Sequence, residues 1–471
     1  MSKNDYWKLS AFEGAKLIRD GSISAEDLVS SCIERVNQTN NKINAIVDDL
    51  RESALEKAHE LDKLTKKGKF QGPLHGVPIT IKENIDQKGY ATPNGLEALK
   101  DLIAPGNAPV VDNLEKDGAI IIGRTNTPEF SMRGTTDNVI HGRTYNPWND
   151  WASPGGSSGG ASAAVMSGMG SLAHGNDIAG SLRIPSTATG ACTVKPGLGR
   201  VPAFNPSQTQ ERGLVAQLMS VQGIIAREIK DVRLGMQSLI NYDPRDPWMV
   251  DMPFQSKGIK PPTKVGFTKE TLGEPLHPAI NRALENAIDA LKDAGYILEE
   301  IELPEFEDAA NFSAKTLFGE IKAMHEKDYK KMGSEDFNLV ADNYFKIISP
   351  FEGEDLLLGM AKRSYFFREW NLFFRKYPLV LTPFLLYPTY QWNRDTQGIE
   401  GTKEVLAGMF YAHTMNYMGI PAGVVSANYN DGLPVGVQII SSRFREDIIL
   451  QACEEIEKRV GIMAEKLFER G

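Results

Sequence analysis

Hydrophobic and polar positions follow first a helical and then a strand period in several parts of this chain. Apolar residues recur every three or four positions in PAINRALENAIDALKD (278–293), which predicts a helix that Gly295 ends and a strand that reaches 303. Residues 110–126 repeat this order, with a helix, a stop at Gly118 and the apolar strand AIIIG. Such alternation predicts an α/β sheet with helices on both faces.

The two ends of the chain carry clear local signals. LSAFEGAKLIRDG (9–21) and SAEDLVSSCIERVNQTN (24–40) are amphipathic, and Ser24 followed by two acidic residues is typical of a helix N-terminus. Residues 421–441 predict two strands around an Asn-Asp-Gly turn, with a helix from about Glu446.

Composition narrows the class of protein. A hydrophobic fraction of 41% and a charged fraction of 24% are typical of globular proteins. The net charge of −9 argues against nucleic acid or an acidic membrane as the main partner. Three widely spaced cysteines indicate reduced thiols, and the chain has neither a secretory h-region nor a run of about 18 apolar residues. We therefore expect a cytoplasmic protein.

Two common motifs occur in misleading contexts. GGSSGG (155–160) satisfies Gly-x-Ser-x-Gly twice, but a polar loop precedes it where a nucleophile elbow needs a buried strand. GMGSLA (168–173) matches a dinucleotide fingerprint, but it follows a helical pattern. The seven histidines show no metal-binding spacing, so we expect neither a metal nor another cofactor, and His174 fits a packed core histidine.

The serine- and glycine-rich stretch 154–185 can nevertheless build a site. ASAAVMSGM (161–169) predicts a helix that Ser157 or Ser158 could cap, and the glycines let backbone amides approach one point. The turn that ends at Ser181 could aim consecutive N–H groups at an oxyanion beside the Ser181 hydroxyl.

A base for that serine is available in VPITIKENI (77–85). If this segment is a strand, Thr80 and Lys82 face one way and the neighbouring isoleucines the other. A lysine that leaves an apolar strand can lose its water, which lowers its pKa and populates the neutral amine near pH 7. Taken alone, such a lysine is far more often a surface residue.

Several motifs together resemble the amidase signature family of Ser–cis-Ser–Lys hydrolases. GVPITIKENI, GGSSGG and DIAGSLRIP carry the resemblance, and GRTNTPEFSMRGTTDN (123–138), YNPWN (145–149) and GLPVGVQIISS (432–442) are similar to family segments in the same order. The similarity is good over about 70–205 and 376–460 and poor over 206–375. It implies a central mixed, twisted β-sheet with helices on both faces, and hydrolysis of amide C–N bonds.

The resemblance implies a role for each matching position. Ser181 matches the nucleophile that forms an acyl-serine, Ser157 the bridging serine that follows a cis peptide bond, and Lys82 the base. Ser131 falls on a substrate-contacting position. The N–H groups that match the oxyanion hole belong to four consecutive residues, Ile178, Ala179, Gly180 and Ser181.

The chain departs from the family pattern at two positions. Ala179 stands where the family usually has glycine, although the backbone N–H is kept. Lys82 is followed by Glu83 instead of the usual aspartate, which moves the carboxylate one methylene outward. Asp177 and Arg183 flank the loop, and we expect them to hold its shape as ions.

The resemblance also implies an organisation and a partner. It treats 1–471 as a single amidase domain with the signature core at 72–205 and a diverged, mainly helical specificity region at 206–395. The partner would be a small-molecule amide, with a homodimer as an open option. Two alternatives stay open: the amidase subunit of a tRNA-dependent amidotransferase, which makes ammonia from glutamine, and a non-catalytic binding protein.

Aromatic residues suggest the kind of substrate. Residues 312–392 are dense in aromatic side chains, most of which we expect in the helix core. We expect the remainder to line the mouth of the site and to favour neutral aryl or medium aliphatic amides over glutamine. The candidates are Phe312, Phe318, Tyr344, Phe345, Phe351, Tyr365, Phe366, Phe367, Trp370, Phe373, Phe374, Tyr377, Phe384, Tyr387, Tyr390 and Trp392.

Overall fold

A mixed β-sheet forms the centre of the protein. The computed structural model describes residues 2–254 and 258–470, and eleven strands lie within these ranges. They are β1 (Ile46–Asp49), β2 (Pro78–Lys82), β3 (Ile120–Thr125), β4 (Leu172–Asp177), β5 (Cys192–Lys195), β6 (Val221–Ala226), β7 (Lys264–Phe267), β8 (Ile297–Glu300), β9 (Leu379–Thr382), β10 (Ala422–Asn430) and β11 (Leu433–Ile440).

Sixteen α-helices of the described residues surround this sheet. They are α1 (Ala11–Arg19), α2 (Ala25–Ile43), α3 (Arg51–Thr65), α4 (Pro109–Lys116), α5 (Gly159–Met166), α6 (Arg183–Thr189), α7 (Leu214–Met219), α8 (Ile229–Leu239), α9 (Pro278–Asp293), α10 (Phe306–Met332), α11 (Glu335–Ile348), α12 (Gly353–Phe374), α13 (Gly398–Leu406), α14 (Phe410–Met418), α15 (Glu446–Val460) and α16 (Met463–Glu469). In the described ranges no helix is both long enough and apolar enough to cross a bilayer.

The strand order shows why the sheet is mixed. It runs β1-β3-β2-β4-β6-β5-β10-β11-β9-β7-β8. Parallel pairing joins β2 to β3 and β4, and joins β7 to β8 and β9. The other neighbours are antiparallel. The predicted mixed α/β sheet is therefore confirmed.

Alternation along the strands buries both faces of the sheet. In β6, Ile224 packs in the core that contains Val232 of α8, whereas Ile225 packs in the core that contains Val165 of α5. Both isoleucines are fully buried. Because successive strand residues point to opposite faces, one short apolar run serves two layers of helices.

Local signals read from the sequence hold at both chain ends and fail at α5. Ser24 accepts a hydrogen bond from the Asp27 N–H at 2.9 Å and caps α2, as predicted. The hairpin of β10 and β11 is also confirmed. Ser158 occupies the N-cap position of α5, but its side chain makes no capping bond. The predicted cap is wrong because the Ser158 hydroxyl is engaged with Lys82 instead.

Parallel pairing of β2 and β4 positions the candidate site. Ile79 pairs with Leu172 and Thr80 with Ala173, so the two strands run side by side in the same direction. Their carboxyl ends meet at one edge, where ligands bind in α/β sheets. Lys82 ends β2 and Asp177 ends β4, so residues 95 positions apart lie at the same edge.

Candidate active site

Lys82 lies completely buried at the end of β2, as predicted for a desolvated lysine. Its Nζ lies 2.7 Å from Ser157 Oγ, 3.1 Å from Ser158 Oγ and 2.9 Å from Asn176 Oδ1. Burial lowers the pKa of Lys82 from 10.5 to about 7, while the negative charge of Asp177 opposes the shift. Near neutral pH, a large fraction of Lys82 is therefore an uncharged amine that can accept a proton.

The two serines matched to the triad lie on either side of one cavity floor. The Gly156–Ser157 peptide bond is cis, as the resemblance implied, and Ser157 is 1% exposed. Ser181 lines the same cavity as Ser157. The Ser158 N–H donates to the Ser181 carbonyl at 3.2 Å, which ties the two segments together. Within the described residues, no hydrogen bond joins the Ser157 and Ser181 hydroxyls, and such bonds often form only when substrate is present.

The loop between β4 and α6 offers three N–H groups rather than four. Gly180 donates its N–H to Asp177 Oδ1 at 2.7 Å, so this amide is already engaged. Ile178, Ala179 and Ser181 have N–H groups with no protein acceptor within the ranges that the structure describes. The prediction that Gly180 supplies a fourth donor is wrong for this arrangement, because the Asp177 carboxylate takes it.

An ion pair holds the shape of this loop. Arg183 Nε lies 3.0 Å from Asp177 Oδ2, and the second Arg183 nitrogen lies 3.1 Å from Oδ1, so the pair is bidentate. Both side chains are fully buried. Burial alone would raise the pKa of Asp177, but the Arg183 charge outweighs it and the pKa is lowered. The carboxylate stays ionised and fixes the loop, as predicted for a structural ion.

A cavity of about 420 Å³ opens above these groups. Its floor is polar and includes Asn84, Asn94, Ser131, Asn176 and Ser181. The Ser131 hydroxyl donates to Asn94 Oδ1 at 2.6 Å and accepts from Asn84 Nδ2 at 2.9 Å. The cavity size lies within the usual range for small-molecule sites, and Ser131 faces it as the resemblance implied.

The wall of the cavity is partly apolar and aromatic and partly polar, with Gln208, Arg212 and Gln222 among its lining residues. The rings of Phe130 and Tyr329 contact each other in a tilted arrangement with 4.5 Å between their centroids, and the Phe337 ring lies 4.9 Å from that of Phe130. From α10, the side chains that line the cavity are Ile321, His325 and Tyr329, which recur every four residues on one helical face. Other apolar lining residues are Ile85, Leu99, Met132, Ala203, Phe204 and Ala216.

Sixteen aromatic residues of 312–392 are candidates, most for the helix core and the remainder for the mouth. Phe366, Trp370 and Phe384 are fully buried in a core between helices, as expected for most of them. None of the sixteen lines this cavity, so the expectation that the remainder forms its mouth is wrong. The aromatic wall instead comes from Phe130, Phe204 and Tyr329, of which the first two lie outside the middle region that sequence reasoning favoured.

Asn176 is the functional residue that sequence reasoning missed. Its Oδ1 accepts from Lys82, and its Nδ2 donates to Asn84 Oδ1 at 2.9 Å. Asn84 continues the network to Ser131. The register of β4 against β2 brings Asn176 to Lys82. The β4 sequence LAHGND has no alternating pattern, so this register could not be predicted from the sequence.

Two other ionisable residues near the floor have structural partners. Glu83 is buried and turns away from Lys82: its Oε2 lies 3.0 Å from His141 Nε2, and its Oε1 accepts from the Gly95 N–H. His174 is buried with Nε2 3.0 Å from Gln222 Oε1, and burial lowers the pKa of His174 to about 3. His174 is thus the core histidine that the sequence indicated.

Comparison with known proteins gives a consistent result. The amidase family profile matches residues 27–450. The chain is 44% identical over 468 residues to an indoleacetamide hydrolase of Bradyrhizobium diazoefficiens, covering 99% of this chain and 89% of that one. It is 32% identical over 468 residues to an acylamidase of Rhodococcus erythropolis, covering 97% and 96%. The crystal structure of a bacterial aryl acylamidase of the amidase signature family superposes with a TM-score of 0.82 at 25% identity, covering 98% of both chains.

Proposed function

The chain belongs to the amidase signature family and is an amidase, and from this premise we propose that it hydrolyses neutral amides that carry an aryl or indolyl group. One observation carries the proposal: buried Lys82 contacts Ser157, which shares with Ser181 a cavity whose lining is partly polar and partly aromatic. The name of the indoleacetamide-cleaving relative supports the same substrate class.

We propose that Lys82, Ser157 and Ser181 work as a proton relay. The neutral Lys82 amine accepts the proton of the Ser157 hydroxyl, and Ser157 Oγ accepts the proton of Ser181 as Ser181 Oγ attacks the amide carbon. The new C–O bond converts the carbonyl oxygen to an oxyanion. Lys82 holds the transferred proton, so the site stays neutral overall.

The loop after β4 would then stabilise the developing charge. The N–H groups of Ile178, Ala179 and Ser181 are the donors available for the oxyanion, and one such donor contributes about 3–4 kcal/mol in serine hydrolases. The relay runs in reverse to protonate the leaving nitrogen, and the C–N bond breaks. Water repeats the cycle on the acyl-serine and releases the carboxylate.

A substrate panel tests the proposed class. Ammonia release is measured from indole-3-acetamide, phenylacetamide, hexanamide and glutamine, with Ser181→Ala as the matched control. We expect the aryl and indolyl amides to give the highest kcat/KM, the aliphatic amide an intermediate value and glutamine the lowest. Equal or faster release from glutamine would overturn the substrate class.

Glutamine preference would favour the amidotransferase alternative. That function requires a second protein chain to receive the ammonia, so the native mass of the protein purified from its own cells discriminates between the two. The non-catalytic alternative predicts instead that no member of the panel is cleaved and that a serine-directed phosphonate fails to label Ser181.

A further inference from the structure

Lys82 has two partners that take no part in the proposed proton relay, Ser158 and Asn176. Asn176 Oδ1 lies 2.9 Å from the amine nitrogen, close to the 2.7 Å of the Ser157 contact. The two residues reach each other because β2 and β4 are parallel neighbours that end at the same edge. Asn176 also lines the substrate cavity.

A chain of hydrogen bonds fixes which way the Asn176 amide points. Its Nδ2 donates to Asn84 Oδ1 at 2.9 Å, and Asn84 Nδ2 donates to Ser131 Oγ at 2.9 Å. Ser131 can accept that bond because its own proton goes to Asn94 Oδ1 at 2.6 Å. With the nitrogen of Asn176 engaged in this chain, its carbonyl oxygen is the atom that faces Lys82.

The two N–H bonds and the lone pair of a neutral Lys82 can then be assigned to its three neighbours in only one way. A neutral amine has two N–H bonds and one lone pair. The amide oxygen of Asn176 carries no proton and can only accept, so it takes one N–H. Ser158 donates its hydroxyl proton to the Asn176 backbone carbonyl at 3.3 Å, so towards Lys82 it also accepts and takes the second N–H. The lone pair is left for the remaining neighbour, Ser157.

We propose that Asn176 is a positioning residue that holds one N–H of Lys82 and thereby aims the lysine lone pair at the Ser157 hydroxyl. The proposal rests on Lys82 acting as the base. Substitution of Asn176 should then have two effects that loss of a merely structural asparagine would not produce. The rate should fall because Lys82 is misoriented, and the pH at which Lys82 becomes able to accept a proton should change.

The test measures the rate of Ser181 labelling by a serine-directed phosphonate as a function of pH, which needs no knowledge of the natural amide. Asn176→Leu keeps the shape but removes the acceptor, so the plateau rate should fall by about 10- to 100-fold. Its acid limb should move to lower pH, because the ammonium form loses a hydrogen-bond acceptor. Asn176→Asp should move the limb up by about 1–3 pH units, because a carboxylate stabilises the ammonium form.

A control separates contact with Lys82 from charge in the cavity. Asn205 lines the same cavity, but its side chain bonds to Asn84 O and the Asp86 N–H rather than to Lys82. Asn205→Asp should therefore shift the midpoint of the acid limb by less than Asn176→Asp does. Thermal unfolding of each variant confirms that the protein compared is folded.

Failure of this proposal is distinguishable from failure of the proposed mechanism. If Lys82→Met abolishes labelling but both folded Asn176 variants keep the wild-type midpoint and plateau, Asn176 does not position the base. If Lys82→Met itself labels normally, the relay is wrong and the inference about Asn176 is overturned with it. Midpoints that move in opposite directions for Leu and Asp support the proposal.

Discussion

Lys82 Nζ lies 2.7 Å from Ser157 Oγ in a region where neither side chain is more than 1% exposed. Because water is excluded from this contact, an ammonium group there loses hydration and the neutral amine becomes accessible near pH 7. The low exposure therefore suits Lys82 to the role of base that we propose for it.

The nucleophile can be identified by deleting one hydroxyl. Ser181→Ala should lower amide turnover by about 10⁴-fold or more and leave the free energy of unfolding nearly unchanged, since the backbone of the loop is kept. Mass spectrometry after phosphonate treatment should place the label on Ser181. Ser171→Ala is a suitable control, because the Ser171 hydroxyl is buried and has no partner among the described residues. A label confined to Ser157 would reverse the assignment.

The pH dependence of kcat/KM should report the protonation of Lys82. Activity is expected to rise with pH to a midpoint near 7 and then reach an alkaline plateau, because only the neutral amine accepts a proton. Lys82→Met should remove activity at every pH.

Chelators should leave the wild type active; loss of activity on chelation that zinc restores would contradict a metal-free relay.

Buried lysines should also make stability depend on pH. The pKa of Lys82 is about 7 in the folded protein and 10.5 when unperturbed, so between these values the unfolded chain binds a proton that the folded protein lacks. The free energy of unfolding therefore rises with pH across this window. Lys82→Met should gain more stability over the wild type at pH 7 than at pH 9 in urea titrations.

Lys195 gives that experiment a matched control. It is fully buried with Nζ 2.7 Å from the Pro196 carbonyl, and burial, reinforced by the Arg183 charge, lowers the pKa of Lys195 to about 7. Lys195→Met should show the same trend in stability and keep the acid limb of kcat/KM near 7. Movement of that limb would mean that the activity profile does not report Lys82 alone.

Close packing of β4 against Ser158, a partner of Lys82, predicts a steric effect. A Cβ on Gly175 would lie 2.8 Å from Ser158 Oγ and 2.9 Å from Leu182. Gly175→Ala should displace Ser158 from Lys82 and reduce kcat by about 10²-fold, with a smaller effect on KM. Gly106→Ala serves as control, since its Cβ would meet only Pro206 at an ordinary 3.6 Å. Equal kcat values for the two variants would contradict the tight fit.

The aromatic wall should determine which amides are preferred. Tyr329→Ala removes the ring that packs against Phe130, so kcat/KM for indole-3-acetamide should fall by about 10- to 100-fold, and the value for hexanamide should change less. Tyr365→Ala, on α12 and outside the cavity, should leave both values near those of the wild type. A uniform loss for both substrates would indicate a role of Tyr329 in folding rather than in recognition.

The sequence could predict the elements whose chemistry is local. The hairpin 421–441 follows from its turn residues, and the strand that carries Lys82 follows from one short apolar run. The helix that starts at Glu446 is equally local. These features depend on residues a few positions apart, so the pattern contains the necessary information.

Contacts made across the sheet could not be predicted in this way. Asn176 meets Lys82 only because of the register between β2 and β4, and Tyr329 reaches Phe130 only because of how α10 packs. The engagement of the Gly180 N–H by Asp177 depends on loop geometry at the level of single hydrogen bonds. Such outcomes follow from tertiary packing, for which one sequence carries no periodic signal.

Ile321, His325 and Tyr329 lie on one face of α10, so these cavity-lining positions can change without any change at the residues proposed for the chemistry. The residues proposed for acyl transfer lie on one strand and in two loops, whereas these three side chains belong to a single helix that supplies none of them. Exchanges at three positions could thus redirect the enzyme to a new amide without disturbing bond cleavage. A combinatorial library confined to these three positions is therefore the smallest set of substitutions that we expect to change the substrate, in evolution or by engineering.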